Sequence, residues 1–313
     1  MHKLAFIFPG QGSQVAGMGK ALHDAFPEAR RVFEAVDAAL GEKLSTLCFD
    51  GPDDRLKLTA NTQPAILTVS AAATAVLAAR GVRPGIVAGH SLGEYSALVA
   101  TGALGAADAA RAVRARGTFM QEAVPAGQGA MAAVVGLDPV RVREVCEGAA
   151  AASAKVVAPA NYNDPNQTVI AGDAAAVALA GGRLKEAGAR RVMPLPVSAP
   201  FHCALMEPVK ARLEPVLRAV AWSQPEVPVV TNVEARANRS KDRIVPLLLA
   251  QVSAPVRWIE SVHELARLGA TRMIEVGPGN VLSGLVKRID KAIEVHQVGD
   301  VASLEKTLAA LGA

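Results

Sequence analysis

Gly89-His90-Ser91-Leu92-Gly93-Glu94 stands between an apolar run, Ile86-Val87-Ala88, and an alanine-rich helical run from Tyr95 to Ala100. A strand, a tight turn and a helix in that order make this G-x-S-x-G sequence a candidate nucleophile turn. The glycines let the backbone fold back closely enough to hold the Ser91 hydroxyl clear of the sheet, beside the N–H groups and positive dipole end of the following helix. Taken alone the pattern is weak, because a chain with 27 glycines produces chance matches. The competing interpretation is a glycine-flanked turn whose serine caps a helix.

Upstream, Leu4-Ala5-Phe6-Ile7-Phe8 has strand character and ends in the loop Pro9-Gly10-Gln11-Gly12-Ser13-Gln14, which permits close backbone approach to a ligand. It is not a dinucleotide loop, since Val15 stands where G-x-G-x-x-G needs its third glycine, and no G-K-[ST] follows. Apolar residues between Gly19 and Leu40 recur at helical spacing on both sides of Pro27, which predicts two helices. Pro64 to Ala79 predicts a long alanine-rich helix leading into the strand before Ser91. The alternation implies a mostly parallel sheet covered by helices.

Between Gly129 and Val197 the pattern changes. Strands are expected at Ala130–Val135, Lys155–Pro159, Gln167–Ala171 and Arg190–Leu195, with helices at Pro139–Ala150 and Ala174–Ala187. That β-α-β-β-α-β order is ferredoxin-like, and it predicts a small subdomain at 129–197 inserted into an α/β domain made of 1–128 and 198–313, with a cleft between them. Beyond it the chain predicts a helix at Ala204–Val220, strands at Val227–Val230 and Arg272–Val276, a helix through Val281 to Ile289, and a last helix from Ser303.

The composition is that of a globular protein: 51% hydrophobic, with apolar runs broken by Gly, Pro, Thr or charge short of a bilayer span. Met1-His2-Lys3 and five apolar residues make no signal peptide, so a cytoplasmic location is expected, with no membrane partner. Three scattered cysteines, Cys48, Cys146 and Cys203, imply neither a disulfide framework nor a metal site. A net charge of +4 with 4% aromatics argues against nucleic-acid binding and suits an anionic substrate or an acidic partner.

A nucleophilic serine needs a base, and His202 is the best placed of the six histidines. It lies in a loop after the inserted segment, whereas His23 and His263 fall in helical patterns, His2 and His296 lie near the ends, and His90 adjoins Ser91. By spacing alone His202 could equally be a structural histidine.

Phe8-Pro9-Gly10-Gln11-Gly12-Ser13-Gln14, Gly89-His90-Ser91-Leu92-Gly93-Glu94, Arg116-Gly117, Pro200-Phe201-His202 and Glu275-Val276-Gly277-Pro278-Gly279 together resemble the malonyl-CoA:acyl carrier protein transacylases of fatty acid synthesis and the related acyltransferase domains of polyketide synthases. The resemblance runs over nearly the whole chain and implies an α/β-hydrolase-like core. It implies that Ser91 attacks a malonyl thioester while His202 takes its proton, and that backbone N–H groups of Gln11 and Leu92 hold the oxyanion. It further implies that the Gln251 main-chain carbonyl orients His202, that Arg116 binds the malonyl carboxylate, and that Asn161 and Asn163 help hold substrate. Malonyl-CoA is then the substrate, with coenzyme A released and no permanently bound cofactor or metal. An acidic, phosphopantetheinylated acyl carrier protein is then the acceptor, and the basic pairs Arg190-Arg191 and Lys287-Arg288, one or both, are expected from their charge to help dock it.

Two rivals stay open in the residues themselves. A serine esterase would need an acid between Ser91 and His202, for which Asp164 or Asp173 is available. A non-catalytic acyl-CoA or carrier-protein binding module would need no nucleophile and base at all. A free-standing acyltransferase of a polyketide pathway is a third reading within the resemblance.

Overall fold

The first apolar stretch forms β1 (Lys3–Phe8), an inner strand of a six-stranded sheet in the computed structural model, which describes residues 3–125, 127–197 and 199–312. Met1, His2 and Ser198, weighed above, lie outside the described residues. Pro27 divides the next pattern into α1 (Lys20–Ala25) and α2 (Pro27–Leu40), because a proline at the first helical position has no helical hydrogen bond to lose. After α3 (Leu44–Asp50) and α4 (Asp53–Leu56) comes α5 (Thr59–Ala79), which starts earlier than the sequence predicts and keeps Pro64 inside it. A proline there withdraws the N–H that the Ala60 carbonyl would accept; Arg114 Nη1 donates to that carbonyl instead at 2.8 Å. By length and composition α5 could cross a membrane, but most of it is buried inside the protein, which is the setting of a core helix.

β2 (Ile86–Gly89), α6 (Gly93–Ala100) and α7 (Ala106–Glu122) complete the strand-turn-helix around Ser91 and the long helix that carries Arg116. Then β3 (Gly129–Val135), α8 (Pro139–Ser153), β4 (Val157–Asp164), β5 (Gln167–Asp173), α9 (Ala174–Glu186) and β6 (Arg191–Pro194) follow in the expected order. β4 is shifted along the chain relative to expectation, so that Asn161 and Asn163 lie on a strand. The remaining elements are α10 (Glu207–Arg218), entered through a 3-10 turn at Ala204–Met206, β7 (Val229–Val230), β8 (Ala237–Asn238), α11 (Ile244–Ser253), β9 (Val256–Arg257), α12 (Trp258–Arg267), β10 (Ala270–Val276), α13 (Val281–Ile289), β11 (Glu294–Val298) and α14 (Val301–Leu311).

Two mixed sheets result. One has the order β11-β10-β1-β2-β7-β8 and is parallel except for β7 with β8. The other has the order β6-β3-β5-β4-β9 and is antiparallel except for the last pair, so its edge strand β9 comes from far along the chain. The two central strands of the first sheet, β1 from Leu4 onward and β2, are apolar because both faces are covered. Phe6, Phe8, Val87 and Ile274 belong to the core built with α2 and α5, while Ala5, Ile7, Ala88 and Met273 pack on the α12 and α13 side. Cys48, Cys146 and Cys203 are buried free thiols, each raised by burial, to about 12, 12 and 11.

Close backbone crossings fix the geometry near Ser91. A Cβ on Gly89 would stand 1.9 Å from the Gly93 carbonyl, and one on Gly93 would stand 2.1 Å from the Phe8 carbonyl oxygen. Where α7 crosses the start of α5, a Cβ on Gly117 would lie 2.6 Å from the Thr59 carbonyl oxygen, so the glycine lets Arg116 reach across α5. Gly117→Ala should therefore lower stability by about 1–3 kcal/mol in urea unfolding. Gly182→Ala, on the exposed face of α9 where an added Cβ meets nothing within 4 Å, should raise it by about 0.5–1 kcal/mol. Equal effects at the two positions would contradict the crossing argument.

Candidate active site

Phe8 and Gly89 are register partners, so the Gln11 loop and the Ser91 turn leave the parallel sheet side by side at its C-terminal edge, where open α/β sheets place their ligands. Ser91 has a φ of 51°, the left-handed region, which is strained for a residue bearing a side chain. Asn232, just beyond β7, holds it there: its Oδ1 accepts the Ser91 N–H at 2.7 Å and its Nδ2 donates to the Gly89 carbonyl at 2.6 Å.

His202, also at positive φ (60°), sits between β6 and α10 and places Nε2 2.7 Å from Ser91 Oγ. Its Nδ1 lies 3.0 Å from the main-chain carbonyl of Gln251 on α11. A carbonyl can only accept, so Nδ1 carries the proton and Nε2 is left as the acceptor for the serine hydroxyl. Burial, and then the neighbouring Arg116 charge, push the imidazole down to about 3. It is therefore neutral and able to take a proton throughout the neutral range.

Arg116 is 1% exposed. Its Nη1 donates to Gln63 Oε1 at 2.8 Å, and its Nη2 to Gln251 Oε1 at 2.8 Å and to Ser91 Oγ at 3.1 Å, while Nε has no partner among the described residues. Every one of those acceptors is neutral. Its neighbours in sequence behave differently: each has a carboxylate partner, exposed Arg111 with Asp108 and partly buried Arg114 with Glu42. A buried guanidinium facing a cavity without a directly bonded carboxylate is an incomplete ion pair, and an anionic ligand completes it.

That cavity, about 110 Å³ in volume, is well below the 300–1,000 Å³ usual for clefts that bind drug-sized ligands and suits a short acyl group. Gln11, Leu92, Ser91, His202 and Arg116 line it together with Asn161 from the second sheet, so it lies between the two sheets. Among the described hydrogen bonds none engages the backbone N–H of Gln11 or of Leu92. Asn163 is not part of the lining. Its Oδ1 accepts from His90 Nε2 at 2.9 Å and so ties the Ser91 turn to β4. Nor does either of the two acids an esterase would use bond His202, whose Nδ1 faces the Gln251 carbonyl. Asp164, 2% exposed at its side chain, pairs with Arg288, and Asp173 pairs with Lys155 and caps α9. In Glu275-Val276-Gly277-Pro278-Gly279, Glu275 caps α13 through Leu282 and Ser283, and Gly277 packs on Pro9 and Ser70, so this motif supports the Gln11 loop from behind.

Sequence reasoning missed Gln63, Asn232 and the part played by Glu94. Gln63 was detectable as an amide directly before Pro64 at the head of a long apolar run, and Asn232 as a polar residue just past the C-terminal end of a parallel strand. Glu94 on α6 is buried, and burial pushes its carboxyl up to about 7. Its Oε2 accepts from the Asn232 N–H at 3.0 Å and from Gln251 Nε2 at 2.8 Å.

The acyl transferase domain model matches residues 5–307 of this chain. The chain is 47% identical over 311 residues to the malonyl CoA-acyl carrier protein transacylase of Bacillus subtilis (strain 168), covering 99% of this chain and 98% of that protein. It is 45% identical over 309 residues to the protein of the same name from Escherichia coli (strain K12), covering 98% and 99%. Among solved structures it resembles the malonyl-transacylase in complex with its type II PKS acyl-carrier protein, with a TM-score of 0.95 at 43% identity, covering 98% of this chain and 99% of that one.

The depressed value of His202 has a defined sign in pH titrations. An unfolded histidine takes its proton near pH 6.5 and the folded one only near 3, so His202 contributes stability above about 6.5 that is lost as pH falls toward 3. Nitrogen-15 NMR of histidine-labelled protein should find the His202 ring neutral, with Nδ1 protonated, from pH 5 to 8. A ring that titrates near 6.5 would refute the assignment.

Proposed function

The chain belongs to the acyl transferase domain family, and from that premise we propose that it transfers the malonyl group of malonyl-CoA to the phosphopantetheine thiol of an acyl carrier protein, supplying fatty acid synthesis. In this ping-pong reading Ser91 Oγ attacks the thioester carbonyl as its proton passes to His202 Nε2. The N–H groups of Gln11 and Leu92 receive the oxyanion, and collapse expels the coenzyme A sulfur, which takes the proton from His202. A malonyl-serine ester remains. The carrier thiol then gives its proton to His202 and attacks the ester, and Ser91 recovers the proton as it leaves. A main-chain carbonyl behind the histidine, in place of an aspartate, fixes the tautomer without bringing a negative charge near an anionic substrate.

The observation that carries the reading is Arg116: a fully buried guanidinium with neutral partners, 3.1 Å from Ser91 Oγ, in a cavity of acyl size. We assign it the malonyl carboxylate, which its planar fork can bind bidentately. A hydrolase of uncharged esters would have no use for it, and the pairing of Asp164 with Arg288 and of Asp173 with Lys155, while Gln251 takes the histidine Nδ1, disfavours the esterase alternative further. Asn161 is assigned to the substrate and Asn163 to holding His90. Likeness to the type II PKS pair keeps a polyketide carrier protein as the second reading of the acceptor.

We also read 1–128 and 198–313 as an α/β-hydrolase-like catalytic core, and 129–197 as a ferredoxin-like subdomain. The strand order β6-β3-β5-β4 supports the latter. A cytoplasmic enzyme without a resident cofactor is the corresponding expectation. Intact-protein mass spectrometry after brief mixing with malonyl-CoA should find a malonyl-sized adduct on the wild type and none on Ser91→Ala, discharged by carrier protein bearing its phosphopantetheine arm. Carrier-independent release of malonate would point to a hydrolase instead.

The basic pairs are assigned to carrier docking. Arg190 and Arg288 line one groove, where Arg288 also holds buried Asp164. Arg190→Glu and Lys287→Glu should each raise the KM for carrier protein several-fold while leaving that for malonyl-CoA nearly unchanged. Equal changes in both would remove the docking assignment.

A further inference from the structure

Gln251 faces two ways. Its main-chain carbonyl orients His202, while its side-chain amide lies between Arg116, whose Nη2 donates to Oε1 at 2.8 Å, and Glu94, whose Oε2 accepts from Nε2 at 2.8 Å. The same Nε2 also reaches the Ser91 carbonyl at 3.1 Å. An amide can be rotated end for end at little intrinsic cost, so its neighbours decide which end faces Arg116. A guanidinium only donates and an ionised carboxylate only accepts, so with Glu94 ionised a single orientation satisfies both. The Asn232 N–H fixes Glu94 in turn, at 3.0 Å.

We propose that Glu94 is a positioning residue, the counter-charge of Arg116 acting through the Gln251 amide, and that this relay sets how strongly the site prefers acyl groups that carry a free carboxylate. The inference rests on the transacylase reading and deepens it. Arg116 and Glu94 are both buried, and neither bonds the other directly. The intervening amide therefore keeps the guanidinium charged and aligned while leaving its outer face open to an incoming carboxylate. If Glu94 becomes neutral, Arg116 and the Ser91 carbonyl still turn the amide oxygen toward the guanidinium, but the charge-assisted bond from Nε2 is lost and Arg116 loses the counter-charge behind the amide. The alignment of Arg116 then loosens, while the Gln251 main-chain bond to His202 stays in place.

The charged groups around Glu94 are few. Arg116 faces it from α7 and Tyr95 adjoins it on its own helix, with burial holding the phenol in its neutral form; α11 contributes Gln251 and the segment after β7 contributes Asn232. Burial lifts the Glu94 carboxyl to about 7, so the relay is fully formed only on the alkaline side of neutrality.

Rapid-quench acylation of Ser91 with malonyl-CoA and with acetyl-CoA tests this, with the ratio of the two rates as the readout. Hydrogen bonds to a charged group are worth about 1.5–3 kcal/mol, so Glu94→Gln, which keeps the shape and removes the charge, should lower the malonyl-over-acetyl ratio by about ten-fold or more, by slowing malonyl transfer with little change in acetyl transfer. Glu94→Asp, which keeps the carboxylate, should hold the ratio within about three-fold of the wild type. In a Gln251→Ala background the relay is already broken, and Glu94→Gln should leave the ratio unchanged. The wild-type ratio should also fall as pH drops from 8 to 6, and that of Glu94→Gln should stay flat. Equal slowing with both acyl groups would make Glu94 merely structural, and an identical ratio shift in both backgrounds would remove Gln251 from the path. Either result overturns the proposal. Failure of the wild type to form any malonyl-Ser91 ester would instead overturn the transacylase reading beneath it.

Discussion

Gly93 lies so close to the end of β1 that a Cβ on it would stand 2.1 Å from the Phe8 carbonyl oxygen, and a Cβ on Gly89 would strike Gly93 in its turn. This double backbone contact brings the start of α6 down onto the sheet. From it follow the left-handed conformation of Ser91, the exposure of its hydroxyl at the C-terminal edge, and the approach of the Gln11 loop, where Gly10 in turn lies against the His90 carbonyl. Asn232 then satisfies the backbone groups that so sharp a turn would otherwise leave unpaired. The strain at Ser91 is held by packing and hydrogen bonding around the turn.

Burial does the electrostatic work. Removing His202 from water makes its protonated form costly, so the ring waits as a neutral acceptor; removing Glu94 from water raises its carboxyl by the same mechanism with the opposite sign. Arg116 is buried among neutral oxygens and stays ready for an anion. The three groups meet at Gln251, one residue that serves the histidine with its main chain and the arginine and glutamate with its side chain. Such a network is stable because nearly all of its donors and acceptors are used, the Arg116 Nε being the exception among the described residues.

Much of this was legible in one dimension because the local signals were strong. Pro27 split two helices, the apolar runs at Leu4–Phe8 and Ile86–Ala88 marked inner strands, and the β-α-β-β-α-β order was readable from periodicity. Boundaries were less legible where tertiary contacts override propensity. α5 runs through Pro64 because Arg114 satisfies the carbonyl that the proline abandons, and β4 is displaced along the chain, where β5 and β9 both pair with it. Asn161 and Asn163 have the same chemistry and lie two positions apart, yet only one lines the cavity, because the other is drawn to His90.

The sequence by itself determined the residue types and their order along the chain: a glycine-flanked serine after an apolar strand, a histidine after an inserted unit, and an arginine on an amphipathic helix. It left open whether His202 reached Ser91, whether Arg116 faced water, and whether the Gln251 carbonyl lay beside the histidine. Tertiary structure decided these, because each depends on the dielectric surroundings and on partners 25 to 160 positions away along the chain. A guanidinium in water and one enclosed by three neutral oxygens are the same letter in a sequence, and only the fold leaves one of them buried without a directly bonded counter-charge.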